Sequence, residues 1–461
     1  MSEIKTPKHF SHFNSISSVD GRFRGKTEHL SKYFSEFATC RGRVYVEIEY
    51  LIAFLEQIGK KLDSNSITNL RSIALEFSEK DAEYIWNKDL EINHDTKAVE
   101  YFLITKLEQH KIGHLKNYIH IGLTSTDIDN TGFALSLQEF FTEAYYPTLN
   151  SLIDGIKMIA KEYKDLVMPA RSHGQIAVPT TAGKELAYFC DRLSTQFKKL
   201  KEIRIGSKIS GAVGNQNALT FAYPDIDWLK FSKDFLNKLG LDAYMFTTQV
   251  EPYDHKVELI QAIKRINLIM ISLDEDIWRY LALGYISMKD EAGHVGSSTM
   301  PQKINPIGFE MSENYSSLSN GILNVLEERL PRNRWQRDLT DKYLLRDFGQ
   351  ALTMTVIAME STTSALKQLG FNKELIKNEL NNHWEIIAEG IQTLLRTTEY
   401  TQPYEKLKEL TRGKVVTKET YSKFIDELEV PDEFKKKLRE LTPETYTGKA
   451  AELVDIALSN G

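Results

Sequence analysis

Apolar residues that recur at alternating spacings of four and three constrain this chain first. Leu259, Ile263, Ile266, Met270, Leu273, Ile277 and Tyr280 form a seam held for three heptads. The same stepping appears at Leu149, Leu152, Ile156, Ile159 and Tyr163, and again at Leu186, Phe189, Leu193, Phe197 and Leu200. A further helix is expected from Pro306, carrying Ile307, Met311, Tyr315, Leu318 and Ile322. Another is expected from near Asp347 to a stop at Gly370, through Leu352, Val356, Met359 and Leu366. Each would be about 20–30 residues, or roughly 30–45 Å, long. Helices of this length need long partners, so an all-α bundle is expected, with seams that favour self-association. The Met, Leu and aromatic positions read as core rather than as a cofactor box.

A chain of 461 residues exceeds one ordinary core. The expected division is an N-terminal helical domain at 1–114, a central long-helix domain at 115–366 and a C-terminal helical domain at 367–461. With 58 basic and 64 acidic residues the formal charge is −6, so no basic excess points to nucleic acid or an anionic membrane. No apolar run approaches the roughly 18 residues of a membrane helix. Met1 to Phe13 is polar, without the apolar centre of a signal segment. Cys40 and Cys190 are too few for a disulfide framework or a Cys-based zinc site, and they fit a reducing, cytoplasmic setting. There is no phosphate-binding P-loop and no dinucleotide fingerprint. His110 and His114 have helical i,i+4 spacing but no third ligand nearby, so no metal site is expected.

Four polar clusters interrupt the helical periodicity. Gly296-Ser297-Ser298-Thr299-Met300-Pro301-Gln302-Lys303-Ile304-Asn305-Pro306 combines a flexible start, two adjacent hydroxyls, a cation and a stiff end. That order suits a loop closing over an anion, with Asn305 and Pro306 as N-cap and N1 of the next helix. Asn93 to Glu100 reads as a helix N-terminus capped by Asp95 or Asn93. His120 with Thr124-Ser125-Thr126-Asp127 and Asn130 reads as a Ser/Thr turn, and Arg171-Ser172-His173-Gly174-Gln175 as a loop between two bundle helices. Each has an ordinary structural reading by itself. Together they flank the long helices with hydroxyl, amide and imidazole groups that bind carboxylates and move protons.

The order S-S-x-M-P-x-K-x-N-P resembles the signature of the fumarase/aspartase superfamily, which eliminates fumarate from succinyl-type substrates. Other runs narrow the resemblance: V-D-G-R-F (Val19 to Phe23), N-H-D-T-K-A-V-E-Y-F (Asn93 to Phe102), T-S-T-D-I (Thr124 to Ile128), R-S-H-G-Q (Arg171 to Gln175), T-T-Q-V-E-P (Thr247 to Pro252) and R-W-Q-R-D-L-T-D (Arg334 to Asp341). These resemble the adenylosuccinate lyase family in its longer bacterial form, from about residue 15 to the C-terminus.

The resemblance implies a three-domain, nearly all-helical subunit whose long helices pack into the 20-helix core of a homotetramer with shared active sites. It implies β-elimination of fumarate from adenylosuccinate, giving AMP, and from the succinylo-carboxamide ribotide SAICAR, giving AICAR, with no cofactor. By motif position Ser297 would be the base, His173 the acid on the departing nitrogen, and His94 a second catalytic group. Ser298, Lys303 and Asn305 would hold the succinyl carboxylates, with Thr124, Ser125 and Gln249 opposite. Arg22, Arg337 and Arg346 would take the phosphate, with Phe23, Asn93 and Asp95 also at the substrate. The chain departs from the family pattern at Phe23 (tyrosine), Ser172 (threonine), Met311 (asparagine) and Lys342-Tyr343 (a Ser-Thr pair). Lys342 stands where a serine is expected to touch phosphate.

Overall fold

The computed structural model describes residues 11–289, 300, 303–398, 405, 407–408, 412 and 415–459. Its first half holds α1 (Glu36–Gln57), α2 (Ser64–Leu75), α3 (Glu79–Ile92), α4 (Asp95–Gln109), α5 (Ser125–Phe140) and α6 (Tyr146–Glu162). There follow β1 (Val167–Ser172), β2 (Gln175–Thr181), α7 (Ala182–Glu202), β3 (Gly206–Ser207), α8 (Trp228–Lys238) and β4 (Asp242–Ala243). Then come α9 (Asp254–Ala282), β5 (Ile286–Met288), α10 (Ile307–Arg329), α11 (Thr340–Leu366), β6 (Leu369–Phe371) and α12 (Lys373–Asn381), with shorter helices to Ser459. The architecture is all-α, with three two-stranded sheets added: β1–β2 and β5–β6 antiparallel, β3–β4 parallel.

The seams of α6, α7 and α11 are buried at every position the sequence assigns, and so are Leu259 to Ile277 on α9. Helix α10 differs. Ile307 and Leu318 are 57% and 55% exposed, whereas Phe309, Ser312, Ser316, Ser319, Leu323, Leu326 and Leu330 are buried. Its inward stripe is half serine, which an apolar count cannot see; of the positions the sequence assigns, Met311, Tyr315 and Ile322 are half-buried at its edge, and Ile307 and Leu318 are exposed. The helix also opens one residue later than expected: the Pro306 carbonyl accepts the Glu310 N–H at 3.2 Å, which makes Pro306 the cap. Helix α11 starts seven residues before Asp347, because Asp338 Oδ1 accepts the Thr340 N–H at 2.9 Å and anchors the first turn.

The described residues fall into two compact units. The first comprises Met1–Thr148, Lys198–Asn267 and Tyr315–Ile357; the second comprises Leu149–Phe197, Leu268–Asn314 and Ala358–Gly461. In the first unit, α1 is buried on two sides. Val44, Ile48, Leu51 and Leu55 join Leu70, Ile85, Val99 and Phe102 in one cluster. Tyr50 and Phe54, one helical turn apart, join Trp228, Phe231 and Phe235 in another. Helices α1 and α5 touch at Gly42 and Gly132; a Cβ on Gly132 would lie 3.1 Å from the Gly42 carbonyl carbon. A side chain there would separate the helices.

In the second unit, β1 and β2 form a hairpin in which Ser172 faces Gln175. The turn residues His173 and Gly174 both have positive φ, 53° and 73°. Two central residues of this hand make a type I′ turn, which matches the twist of paired strands. The expected helix-to-helix loop is therefore a β-hairpin. Its strands are short and contain Pro169 and Pro179, which explains the weak strand signal.

Candidate active site

The site is built from helix N-termini in the first unit. At α4, the cap is His94 rather than Asp95 or Asn93: its Nδ1 accepts the Lys97 N–H at 3.1 Å. Asn93, with φ 54°, ends α3 in the left-handed region. Both side chains are exposed. At α5, Thr124 and Asp127 form a capping box. Gln249 Nε2 donates to Thr124 Oγ1 at 2.9 Å, and Thr126 Oγ1 donates to the Gln249 carbonyl. These bonds bring Gln249 to the start of α5, beside Thr124 and Ser125.

Asp127 anchors this corner. Its Oδ1 accepts Lys208 Nζ at 2.7 Å and the Ser210 N–H at 2.9 Å; its Oδ2 accepts the Thr124 N–H at 2.9 Å and the Gly211 N–H at 3.1 Å. Neither Asp127 nor Lys208 has any exposed side-chain surface. Burial pulls the Lys208 ammonium below its ordinary value, and Asp127 only partly offsets this. A second buried pair, Glu251 with Lys256, lies in the segment that follows Gln249. Burial raises the Glu251 carboxyl, with Lys256 opposing.

The cationic residues gather near the start of α11. Arg337 Nη1 donates to both oxygens of Asp341, at 2.7 and 2.9 Å. Lys342 Nζ donates to Asp95 Oδ1 at 2.7 Å, and Arg346 Nε to Glu36 Oε1 at 2.9 Å. Arg43, which is 5% exposed, bonds Asp95 at 2.8 Å and Asp129 at 2.6 Å. Burial would raise the Asp95 carboxyl, but Arg43 and then Lys342 overcome it and hold it well below the usual carboxylate range. Tyr253 Oη donates to Asp341 Oδ2 at 2.5 Å, and the Gln249 N–H reaches the Gln336 carbonyl at 3.1 Å, which joins the two corners. Arg43, Arg337, Lys342 and Arg346 line one pocket of about 180 Å³, with Tyr33 and Phe133 on its apolar wall. Asn130 also lines it, and its buried Nδ2 has no acceptor among the described residues.

Among the seven non-glycine residues described with positive φ, five lie in or beside the recognised segments: Asn93, His120, His173, Tyr253 and Trp335. Backbone strain of this kind collects at functional sites. His120 Nδ1 meets Glu47 Oε1 at 2.5 Å. Burial lowers the imidazole's proton affinity, but the Glu47 contact outweighs it and leaves the pKa raised.

The first unit therefore brings together Asn93, His94, Asp95, Thr124, Ser125, Gln249, Arg337, Lys342 and Arg346. Arg22 is exposed in the same unit. Phe23 packs edge-on against Tyr315 at 5.1 Å, so it has a packing partner within the fold. His173, Lys303 and Asn305 belong to the second unit; His173 and Lys303 are exposed and Asn305 is half-buried. Ser297 and Ser298 lie outside the described residues, as do Gly296, Thr299, Pro301 and Gln302.

Sequence reasoning missed Arg43, Glu47, Asp129, Lys208 and Asp341. One signal was present. Arg43, Glu47, Tyr50 and Phe54 share a helical face, so two charges interrupt a buried stripe. Among the described residues no group of His, Cys, Asp or Glu is arranged to hold a metal ion, and no helix is long and apolar enough to cross a membrane. Cys40 and Cys190 are free and buried.

Comparison with known proteins adds an independent finding. A family described as "Lyase" matches residues 2–318, and one described as "Adenylosuccinate lyase C-terminal" matches residues 333–447. The chain is 42% identical over 450 residues to an adenylosuccinate lyase of Escherichia coli K12, covering 96% of this chain and 99% of that one. It is 44% identical over 446 residues to one of Vibrio cholerae, covering 95% and 98%. A fumarate lyase structure from Mesorhizobium superposes with a TM-score of 0.75 at 17% identity, covering 94% of this chain and 97% of that one, a likeness of fold alone.

Proposed function

The chain belongs to the adenylosuccinate lyase family, and from that premise we infer how its residues divide the work. It is a C–N lyase that eliminates fumarate from adenylosuccinate, leaving AMP, and from SAICAR, leaving AICAR. The near full-length identity to enzymes of that name carries the assignment.

The proton to be removed lies on the carbon beside a carboxylate, where acidity is weak and removal drives negative charge onto the carboxylate oxygens. The reaction needs a base at carbon, donors at those oxygens and an acid at the leaving nitrogen. Ser297 is the proposed base, with Ser298, Lys303 and Asn305 around the succinyl carboxylates. Thr124 and Ser125 present the start of α5 to the opposite side, where helix N–H groups favour negative charge. His173 is the proposed acid, and its exposed position on a hairpin tip supports delivery of a proton to a ligand. His94 is the proposed orienting group. Arg337, Lys342 and Arg346, which share a pocket, are the proposed phosphate contacts, with Arg22 as a further one.

The proposed subunit has three domains, at 1–114, 115–366 and 367–461, and works as a homotetramer in the cytoplasm. Exposed apolar side chains on the long helices support assembly: Met158, Leu268, Trp278, Ile307, Leu318 and Val325 are each more than half exposed.

The test is fumarate release by purified protein supplied with adenylosuccinate or SAICAR. Ser297→Ala should lower turnover by about a hundredfold or more with little change in substrate affinity. Turnover on argininosuccinate alone would overturn the assignment, and near-normal turnover in the variant would remove Ser297 as base.

A further inference from the structure

Lys342 is a departure from the family pattern, and its surroundings give it a defined task. A lysine side chain loses rotamer entropy when fixed, so a bare lysine in a phosphate pocket is poorly aimed. Lys342 is held. Its Nζ donates to Asp95 Oδ1 at 2.7 Å, Asp95 Oδ2 takes Arg43 Nη2 at 2.8 Å, and Arg43 Nε donates to Asp129 Oδ1 at 2.6 Å. Exposure decreases from Lys342 at 25% to Asp95 at 14% and Arg43 at 5%. The ammonium is therefore one end of a chain of two cations and two carboxylates whose middle, Arg43, is buried, while Asp129 at the other end is 18% exposed.

An ammonium has three N–H donors. One serves Asp95, and Lys342 faces the pocket shared by Arg337 and Arg346. We propose that Lys342 binds the substrate's phosphate while still held by Asp95, so that it bridges the phosphate to the helix end carrying Asn93 and His94. Asp95, Arg43 and Asp129 are positioning residues that act through it. The inference rests on the reading of this pocket as the phosphate end of the substrate site. The neutral ion chain explains how the pocket accepts a fourth cation without unbalanced repulsion among its own groups: Arg337 and Arg346 each retain a carboxylate, and Lys342 and Arg43 share two. The bridge also makes Lys342 a determinant of preference for phosphorylated over dephosphorylated substrate.

The experiment compares kcat/KM on adenylosuccinate and on its dephosphorylated nucleoside for the wild type, Lys342→Met, Lys342→Arg, Asp95→Asn, the Lys342→Met/Asp95→Asn double variant and Arg346→Met. Lys342→Met should lower the ratio of phosphorylated to dephosphorylated activity by about tenfold or more through KM, the scale of one hydrogen bond to a charged group. Lys342→Arg keeps the charge and should retain most of the ratio. Asp95→Asn should lower it less, and should lower it no further once Lys342 is methionine. If Arg346→Met lowers the ratio and Lys342→Met does not, the bridge is overturned and the phosphate pocket stands. If neither variant lowers it, the pocket reading itself fails. If Asp95→Asn has the same effect with and without Lys342, the aiming role of Asp95 is overturned. Urea midpoints of Lys342→Met and Lys342→Arg separate loss of fold from loss of binding.

Discussion

Asp127→Asn isolates the buried anchor under the α5 corner. The side chain keeps its shape but loses its charge, and one oxygen that accepts two hydrogen bonds becomes an NH₂ donor. Lys208, with no exposed surface, is left as a buried cation without its hydrogen-bonded counter-charge. Breaking such a pair from one side costs about 3–5 kcal/mol. An upper limit on the charge term follows from lysine itself, which can discard its proton. From an ordinary pKa of about 10.4, neutralisation costs about 4.6 kcal/mol near pH 7 and about 2 kcal/mol near pH 9. The penalty should therefore shrink by about 2–3 kcal/mol between those pH values. Urea midpoints followed by circular dichroism at both pH values measure this, with fumarate release as a second readout because the Thr124 N–H depends on Asp127. Asp127→Asn/Lys208→Met removes both charges of this pair and should recover much of the loss. A cost below about 1 kcal/mol near neutral pH, or one unchanged at the higher pH, would refute the reasoning.

Two further predictions concern groups outside the substrate contacts. The pKa of His120 is raised, so the stability it contributes is fully present below its unfolded value of about 6.5 and fades as pH rises through its folded value. Asparagine tolerates the same φ of 56°, so the melting temperature of His120→Asn should fall below wild type in acid and converge with it in mild alkali; a gap that does not narrow counts against the Glu47 pairing. Burial raises the carboxyl of Asp274, which accepts Thr362 Oγ1 at 3.0 Å, well above its usual value. That arrangement favours the folded state fully only below an unfolded pKa of about 3.9, and the benefit is lost as pH rises toward the folded value. Asp274→Asn keeps the acceptor and does not titrate, so its gain in melting temperature over wild type should grow from about pH 4 upward. A constant offset across that range would show that Asp274 is not a buried neutral acid.

Different kinds of residue were legible to different degrees. Helices α6, α7, α9 and α11 were readable because large apolar side chains repeat at helical spacing, and burial of such a stripe is what holds a bundle. Helix α10 was misread because Ser312, Ser316 and Ser319 occupy its buried stripe. Ser319 shows how a hydroxyl is accommodated there: its Oγ donates to the Ala351 carbonyl at 2.8 Å. The polar segments at Asn93, Thr124 and Arg171 were visible because they break the periodicity, and family likeness gave them roles. The ion chain through Arg43 was not visible. Its members lie 52, 86 and 247 residues apart along the chain, and pairing over such distances leaves no local pattern.

The hairpin tip at His173 has an evolutionary consequence. A left-handed position beside glycine in a two-residue turn is one that asparagine fills more easily than histidine. His173 is exposed, with φ 53°. Losing the imidazole would therefore leave the hairpin intact, and stability gives selection no reason to retain it. A lineage that no longer needed the elimination could drift away from histidine here while keeping every helix of the scaffold. A histidine in an otherwise indifferent turn is therefore what the proposed acid role would ask for, and what the fold by itself would not.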